Sequence, residues 1–188
     1  MKEDLVHEKL INKCKSGNQA AQFEIYKLYY KAMYNVSLRI VQDSMEAEDV
    51  MQDAFLAAFS KLDTWSREVS FGSWLKRIVI NKSLDCLKKR KLDEISIDNK
   101  DFASDNSESL DEELISAKVE DVKKAVGELP DNYRVVLVMF LFEGYTHNEI
   151  SDVLNITPES SRVRYKRAKE MIIKSVKTKE MQTNFIYN

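Results

Sequence analysis

The sequence predicts an all-α fold: two small helical domains joined by a flexible acidic linker. Three observations carry this. The 188 residues include only four Gly and two Pro, too few chain breakers for a many-turned β-sandwich or barrel. Apolar residues recur at three- and four-residue steps in segment after segment, the period of a helix face. One stretch, 92–113, is rich in Asp, Asn and Ser and poor in large apolar side chains. It cannot bury enough surface to offset the entropy of ordering, so it reads as a linker between domains at 1–91 and 114–188.

In the N-terminal domain, Phe23, Tyr26, Tyr30, Met33 and Tyr34 mark a first amphipathic helix. A second covers 44–62, with Val50, Ala54, Ala58 and Leu62 on one face. Residues 63–73 combine turn formers with aromatics and read as a structured loop. A third helix, 74–91, turns Leu75, Ile78, Val79 and Leu84 inward. The C-terminal domain reads as short helices at about 114–126, 131–142, 146–154 and 158–176.

Charge is segregated along the chain. The formal total is only −2, which taken alone argues against a nucleic-acid partner. Residues 43–53 nevertheless carry five acids and no base, and 67–91 carry eight bases against two acids. Residues 93–113 sum to −8 and 157–179 to +6. Alternating blocks on this scale suit separate binding surfaces.

Three segments carry candidate chemistry. In 144–169, Thr146 and Glu149 form a capping box, Asn155 stands where a tight turn needs a left-handed residue, and Thr157-Pro158 starts a second helix. Short helix, tight turn and second helix make a helix-turn-helix. The second helix bears Ser160, Ser161, Arg162, Arg164, Lys166, Arg167 and Lys169, suited to a major groove and its phosphates. In 46–59, Asp49, Gln52 and Asp53 share a stripe beside Phe55 and Leu56, an acidic face with an aromatic that suits a basic protein partner. In 71–81, Phe71, Trp74, Arg77 and Asn81 mix aromatics with donors, the chemistry that holds unstacked single-stranded bases. Trp74 and Ile78 are most simply core, which leaves Arg77 and Asn81, one turn apart, as contacts.

The segments AEDVMQDAF, FGSWLKRIVINKSLD and LPDNYRVVLVMFLFEGYTHNEISDVLNITPESSRVRYKRAK, in that order and spanning about residues 20–175, resemble the signatures of extracytoplasmic-function sigma factors. These are bacterial transcription initiation factors of the sigma-70 family with regions 2 and 4 only. The resemblance implies a factor that binds core RNA polymerase, directs it to −35/−10 promoters and promotes melting. It implies that Asp49, Gln52, Asp53 and Phe55 dock on the clamp helices of the polymerase β′ subunit, with contacts to the β subunit as well. Arg67 and Phe71, in the loop 64–73, with Trp74, Arg77 and Asn81 would hold the −10 strand. Ser160, Arg162, Val163, Arg164, Lys166 and Arg167 would meet the −35 groove. An anti-sigma factor is an implied partner. Asn155, Glu159, Ser161 and Val163 depart from the family's usual residues, which bears on the −35 sequence that is read. A stand-alone helix-turn-helix regulator is the alternative; it explains 158–169 but leaves 46–81 idle.

Other classes fit poorly. His7 and His147 are the only histidines, and His147, at a helix start, reads as solvated. The four glycines are too scattered for a phosphate-cradling loop. Cys14 and Cys86 make no disulfide framework and have no nearby partners for zinc. No catalytic residue, metal or cofactor is therefore expected, and the protein is not expected to be an enzyme. The longest apolar run, 135–142, would span about 12 Å as a helix against the ~30 Å of a bilayer core, so no membrane insertion is expected. The polar N-terminus carries no apolar signal segment, which points to the cytoplasm.

Overall fold

The computed structural model describes residues 2–94 and 110–186. Every regular element among them is helical, and they form two compact units that divide after residue 95.

The N-terminal unit is built from α1 (Lys2–Lys15), α2 (Gln19–Val41), α3 (Ser44–Ser60) and α4 (Phe71–Glu94). Sequence periodicity does not bring out α1, whose polar face dominates its composition. Its inner edge is nevertheless firm, with Ile11 and Cys14 buried. It ends where Gly17 takes a positive φ of 79°, and Asn18 caps α2 by accepting from the Ala21 N–H. Asp43 caps α3 in the same way through the Glu46 N–H. Helices α2, α3 and α4 pack mutually, and α1 lies on α2 and on the short turn Leu62–Thr64.

The core is Ile25, Ile40, Met51, Leu75, Val79 and Ile80, with the expected Val50, Ala54, Ala58 and Leu62 buried beside them. Buried Ser83 donates to Ser37 at 3.2 Å across α2 and α4, so two small polar residues satisfy each other at the crossing. Arg90 of α4 pairs with Glu46 of α3 and donates to the Val41 carbonyl at 2.8 Å, tying three helices together. Two periodicity assignments need correction. Phe23 is 59% exposed, with Lys27 over its ring, so it lies outside the apolar face of α2. The third helix starts at Phe71, three residues before the expected 74, because Ser70 caps it: its carbonyl accepts from the Trp74 N–H and its hydroxyl from the Ser73 N–H.

Helix α4 continues through Glu94 and α5 (Leu110–Gly127) opens the C-terminal unit, so both ends of the expected linker 92–113 are helical. The acidic-linker reading of 95–109 lies outside the described residues. Then come α6 (Asp131–Leu137), which widens into a π-helical turn over Val138–Phe142, α7 (His147–Leu154) and α8 (Pro158–Ile186). Helix α8 packs on α5, α6 and α7 around Val126, Leu129, Leu137 and Ala168. Arg134 is buried but satisfied, donating to the Leu129 carbonyl and pairing with Asp131, both at 2.6 Å.

Candidate nucleic-acid and polymerase interfaces

On α3, Asp49, Gln52 and Asp53 are all exposed, one helical turn apart. Lys82 of α4 approaches Asp53 at 3.7 Å, an exposed and therefore weak pair. Phe55 does not join this face. It is only 3% exposed and meets Tyr26 edge-on at 4.9 Å and Phe59 at 5.9 Å. The apolar residue beside the acidic stripe is instead Leu56, 70% exposed.

On α4, Arg77 and Asn81 are exposed one turn apart, while Trp74 and Ile78 are half-buried. Phe71 is a second correction, since it is buried at the centre of an aromatic cluster with Tyr29, Trp65 and Trp74. It supports the loop, and its ring is not presented to a base. Gly72 keeps that cluster closed, because a Cβ there would stand 3.1 Å from the Tyr29 ring. Within the loop, the Trp65 indole donates to the Val69 carbonyl at 2.9 Å. Arg67 pairs with Glu8 of α1 at 2.7 Å.

In the C-terminal unit the helix-turn-helix forms as expected. Both hydrogen bonds of the Thr146–Glu149 capping box are made, and Asn155 takes the left-handed conformation at φ 52°. Ser160 N–H donates to the Thr157 hydroxyl, which caps α8. An open groove of about 350 Å³ runs along α8, lined by Asn132, Tyr133, Glu159, Ser160, Val163, Arg164 and Arg167. Arg162 and Lys166 are exposed, and Val163 is 49% exposed. Arg167 donates to the Tyr133 hydroxyl at 3.4 Å. Glu159 pairs with Arg162 at 3.2 Å and is held below the usual carboxylate range, first by a backbone hydrogen bond at the helix start.

The two halves of the motif meet at His147, which is half-buried and not freely solvated as the sequence suggested. Its ring stacks on Phe140 at 4.4 Å, and Nδ1 shares a 2.9 Å hydrogen bond with Ser161, which is fully buried. The small Ser161 side chain thus partners the imidazole from the helix that follows.

Burial pushes the His147 pKa below its ordinary 6.5, and the nearby Arg162 charge adds to this. The unfolded chain thus takes up the proton first as pH falls. The stabilisation is complete above the unfolded pKa of about 6.5 and is lost as pH drops through the folded value. Circular-dichroism melts at pH 7.5 and 5.5 should show a loss of stability on acidification that is smaller in His147→Gln.

Comparison with known proteins agrees with this geometry. The family model for sigma-70 region 2 matches residues 25–92, and that for sigma-70 region 4 matches 120–172. The chain belongs to the sigma-70 family. Within that family it is similar to the extracytoplasmic-function sigma factor SigW of Bacillus subtilis, 26% identical over 93% of this chain and 98% of that one. It is also similar to the sigma-H factor of Pseudomonas aeruginosa, 28% identical over 90% and 93% of the two chains. Among solved structures, the sigma factor RpoE of Bartonella quintana, in complex with the anti-sigma factor NepR, matches with a TM-score of 0.62. That match has 20% identity and covers 82% of this chain and 95% of that one, a likeness of fold.

The chain is thus an alternative sigma factor of the extracytoplasmic-function group, which directs RNA polymerase to promoter DNA. The stand-alone regulator finds no support. No described helix of this sigma factor is long and apolar enough to cross a membrane.

Proposed function

We propose the following division of labour for this sigma factor. The region 2 domain, 1–91, docks on core polymerase through Asp49, Gln52 and Asp53, and holds the melted −10 strand with Trp74, Arg77 and Asn81. The region 4 domain, 114–188, seats α8 in the −35 major groove, with 92–113 as the connection between them. Ser160, Val163, Arg164 and Arg167 face the base edges, while Arg162 and Lys166 serve flanking phosphates.

The observation that carries this reading is the separation of exposed chemistry. Carboxylates stand on α3, a donor pair stands on α4, and an open basic groove lies along α8. Melting is driven by trading base stacking for contacts with the protein, without covalent chemistry, so the protein works as a cytoplasmic binding factor and not as an enzyme. An anti-sigma factor completes the set of partners. The support for it is the similarity to RpoE, which was solved with NepR.

Run-off transcription with purified core polymerase tests the reading, and the absence of core binding and of any promoter-dependent transcript would sink it. Replacing Asp49 and Asp53 together by Lys is expected to weaken core binding by about tenfold or more. Binding of a −35 duplex by the same variant should be unchanged. Undiminished competition for core would count against the α3 face.

A further inference from the structure

The turn Leu62–Thr64 and the loop 64–73 that follows it are tethered to α1, a helix outside the matched region 2 segment, which starts at residue 25. Three α1 side chains on one stripe, at steps of four and three residues, make the tether. Glu8 pairs with Arg67 at 2.7 Å, Asn12 accepts from the Arg67 guanidinium at 3.3 Å, and Lys15 pairs with Asp63 at 3.2 Å. The helix that offers this stripe is anchored by buried Ile11 and Cys14.

Arg67 itself has a φ of 66°, a left-handed conformation that a non-glycine residue keeps only where its surroundings impose it. The two contacts from α1 hold the side chain of this residue. They act on the middle of a loop whose ends are already held, one by the Trp65–Val69 hydrogen bond and the other by the Ser70 cap of α4.

We propose that α1 is a strut that sets the shape of the −10-reading loop, with Glu8, Asn12 and Lys15 as positioning residues and Arg67 as the loop's anchor. This rests on the assignment of the loop and α4 to the −10 strand. It also changes the role of Arg67. A guanidinium engaged by a carboxylate and an amide of its own chain shapes the loop and is not itself spent on a base.

The two roles give opposite results on charge reversal. Glu8→Arg sets two like charges against each other and should loosen the loop. In the free full-length protein, amide exchange at Glu68, whose N–H donates to the Ser66 hydroxyl, should then speed up about three- to fivefold, the range of an exposed ion pair. Promoter opening by the reconstituted holoenzyme should fall by a similar factor, with core affinity unchanged. Opening is read as permanganate reactivity of −10 thymines, on a promoter recovered by mapping transcripts after overexpression. Arg67→Glu should do the same. Glu8→Arg combined with Arg67→Glu should recover most of both losses, since the pair is restored with its sign reversed and Asn12 can donate to the new carboxylate.

Unchanged exchange in Glu8→Arg would overturn the strut. A double variant as poor in opening as Arg67→Glu alone would overturn it too, because it would make Arg67 a DNA contact. Asn81→Ala separates the underlying reading from the proposal. If it blocks opening while Glu8→Arg changes exchange but not opening, the strut has no role in positioning. If Asn81→Ala itself leaves opening intact, the −10 assignment of α4 fails, and the proposal with it.

Discussion

Replacing Arg164 and Arg167 together by Ala should lower −35-dependent transcription by about a hundredfold or more, with affinity for core polymerase unchanged. Both side chains line the groove along α8 with Ser160 and Val163. Arg167 is steadied by the Tyr133 hydroxyl, so less rotamer entropy remains to be lost on binding. Each lost arginine contact to a base costs about 1–3 kcal/mol, and losing both from the one groove compounds into the range given. Arg162 should matter less, because Glu159 already pairs with it at 3.2 Å. Run-off assays across a salt series would separate the roles. Loss of a phosphate contact lowers the salt slope by about one, whereas loss of a base contact relaxes sequence preference at one position. Arg162→Ala proving as harmful as the double variant would contradict this ranking.

The helix-turn-helix was legible in the sequence because its signals are local. A capping box, a left-handed Asn and a Thr-Pro start each act within four residues, and each forms as read. The acidic stripe was legible for the same reason, since charged residues on a helix stay exposed. Aromatic residues were not. Phe55 lies on α3 between Ala54 and the exposed Leu56, where periodicity allows it either face. The ring of Tyr26, 29 residues earlier, decides the matter by giving it an edge-on partner. Phe71 is drawn inward in the same way by Tyr29 and Trp65.

His147 was misread because its stacking partner, Phe140, belongs to the preceding helix, and Ser161 offers its hydroxyl from the helix after. The strut was invisible for a related reason. Glu8 and Asn12 look like solvated positions on a polar helix, and their partner lies 55 residues beyond Asn12. Only long-range packing reveals either arrangement.

Leu75→Ala should destabilise the N-terminal unit by about 2–5 kcal/mol, the cost of removing a fully buried Leu from a packed core. That is a large fraction of the ~5–15 kcal/mol that holds a typical domain together. The position is severe because α4 packs on both α2 and α3, and Leu75, Val79 and Ile80 are its fully buried apolar side chains there. Two residues further along the same helix, Arg77 is exposed, and Arg77→Ala should change stability by no more than about 0.5 kcal/mol while impairing promoter opening. Urea denaturation followed by tryptophan fluorescence isolates the relevant transition, since the only two tryptophans, Trp65 and Trp74, both lie in this unit. A midpoint shift in Leu75→Ala at unchanged slope would mark a core lesson confined to stability, whereas an unshifted midpoint would mean that α4 is not held as described. The comparison matters for function because one helix must serve two masters: its inner face holds the fold, and its outer face must keep Arg77 and Asn81 one turn apart for the strand they bind. Loss of the inner face should therefore abolish opening only under conditions where the unit unfolds, and loss of the outer face should abolish it while the unit remains folded.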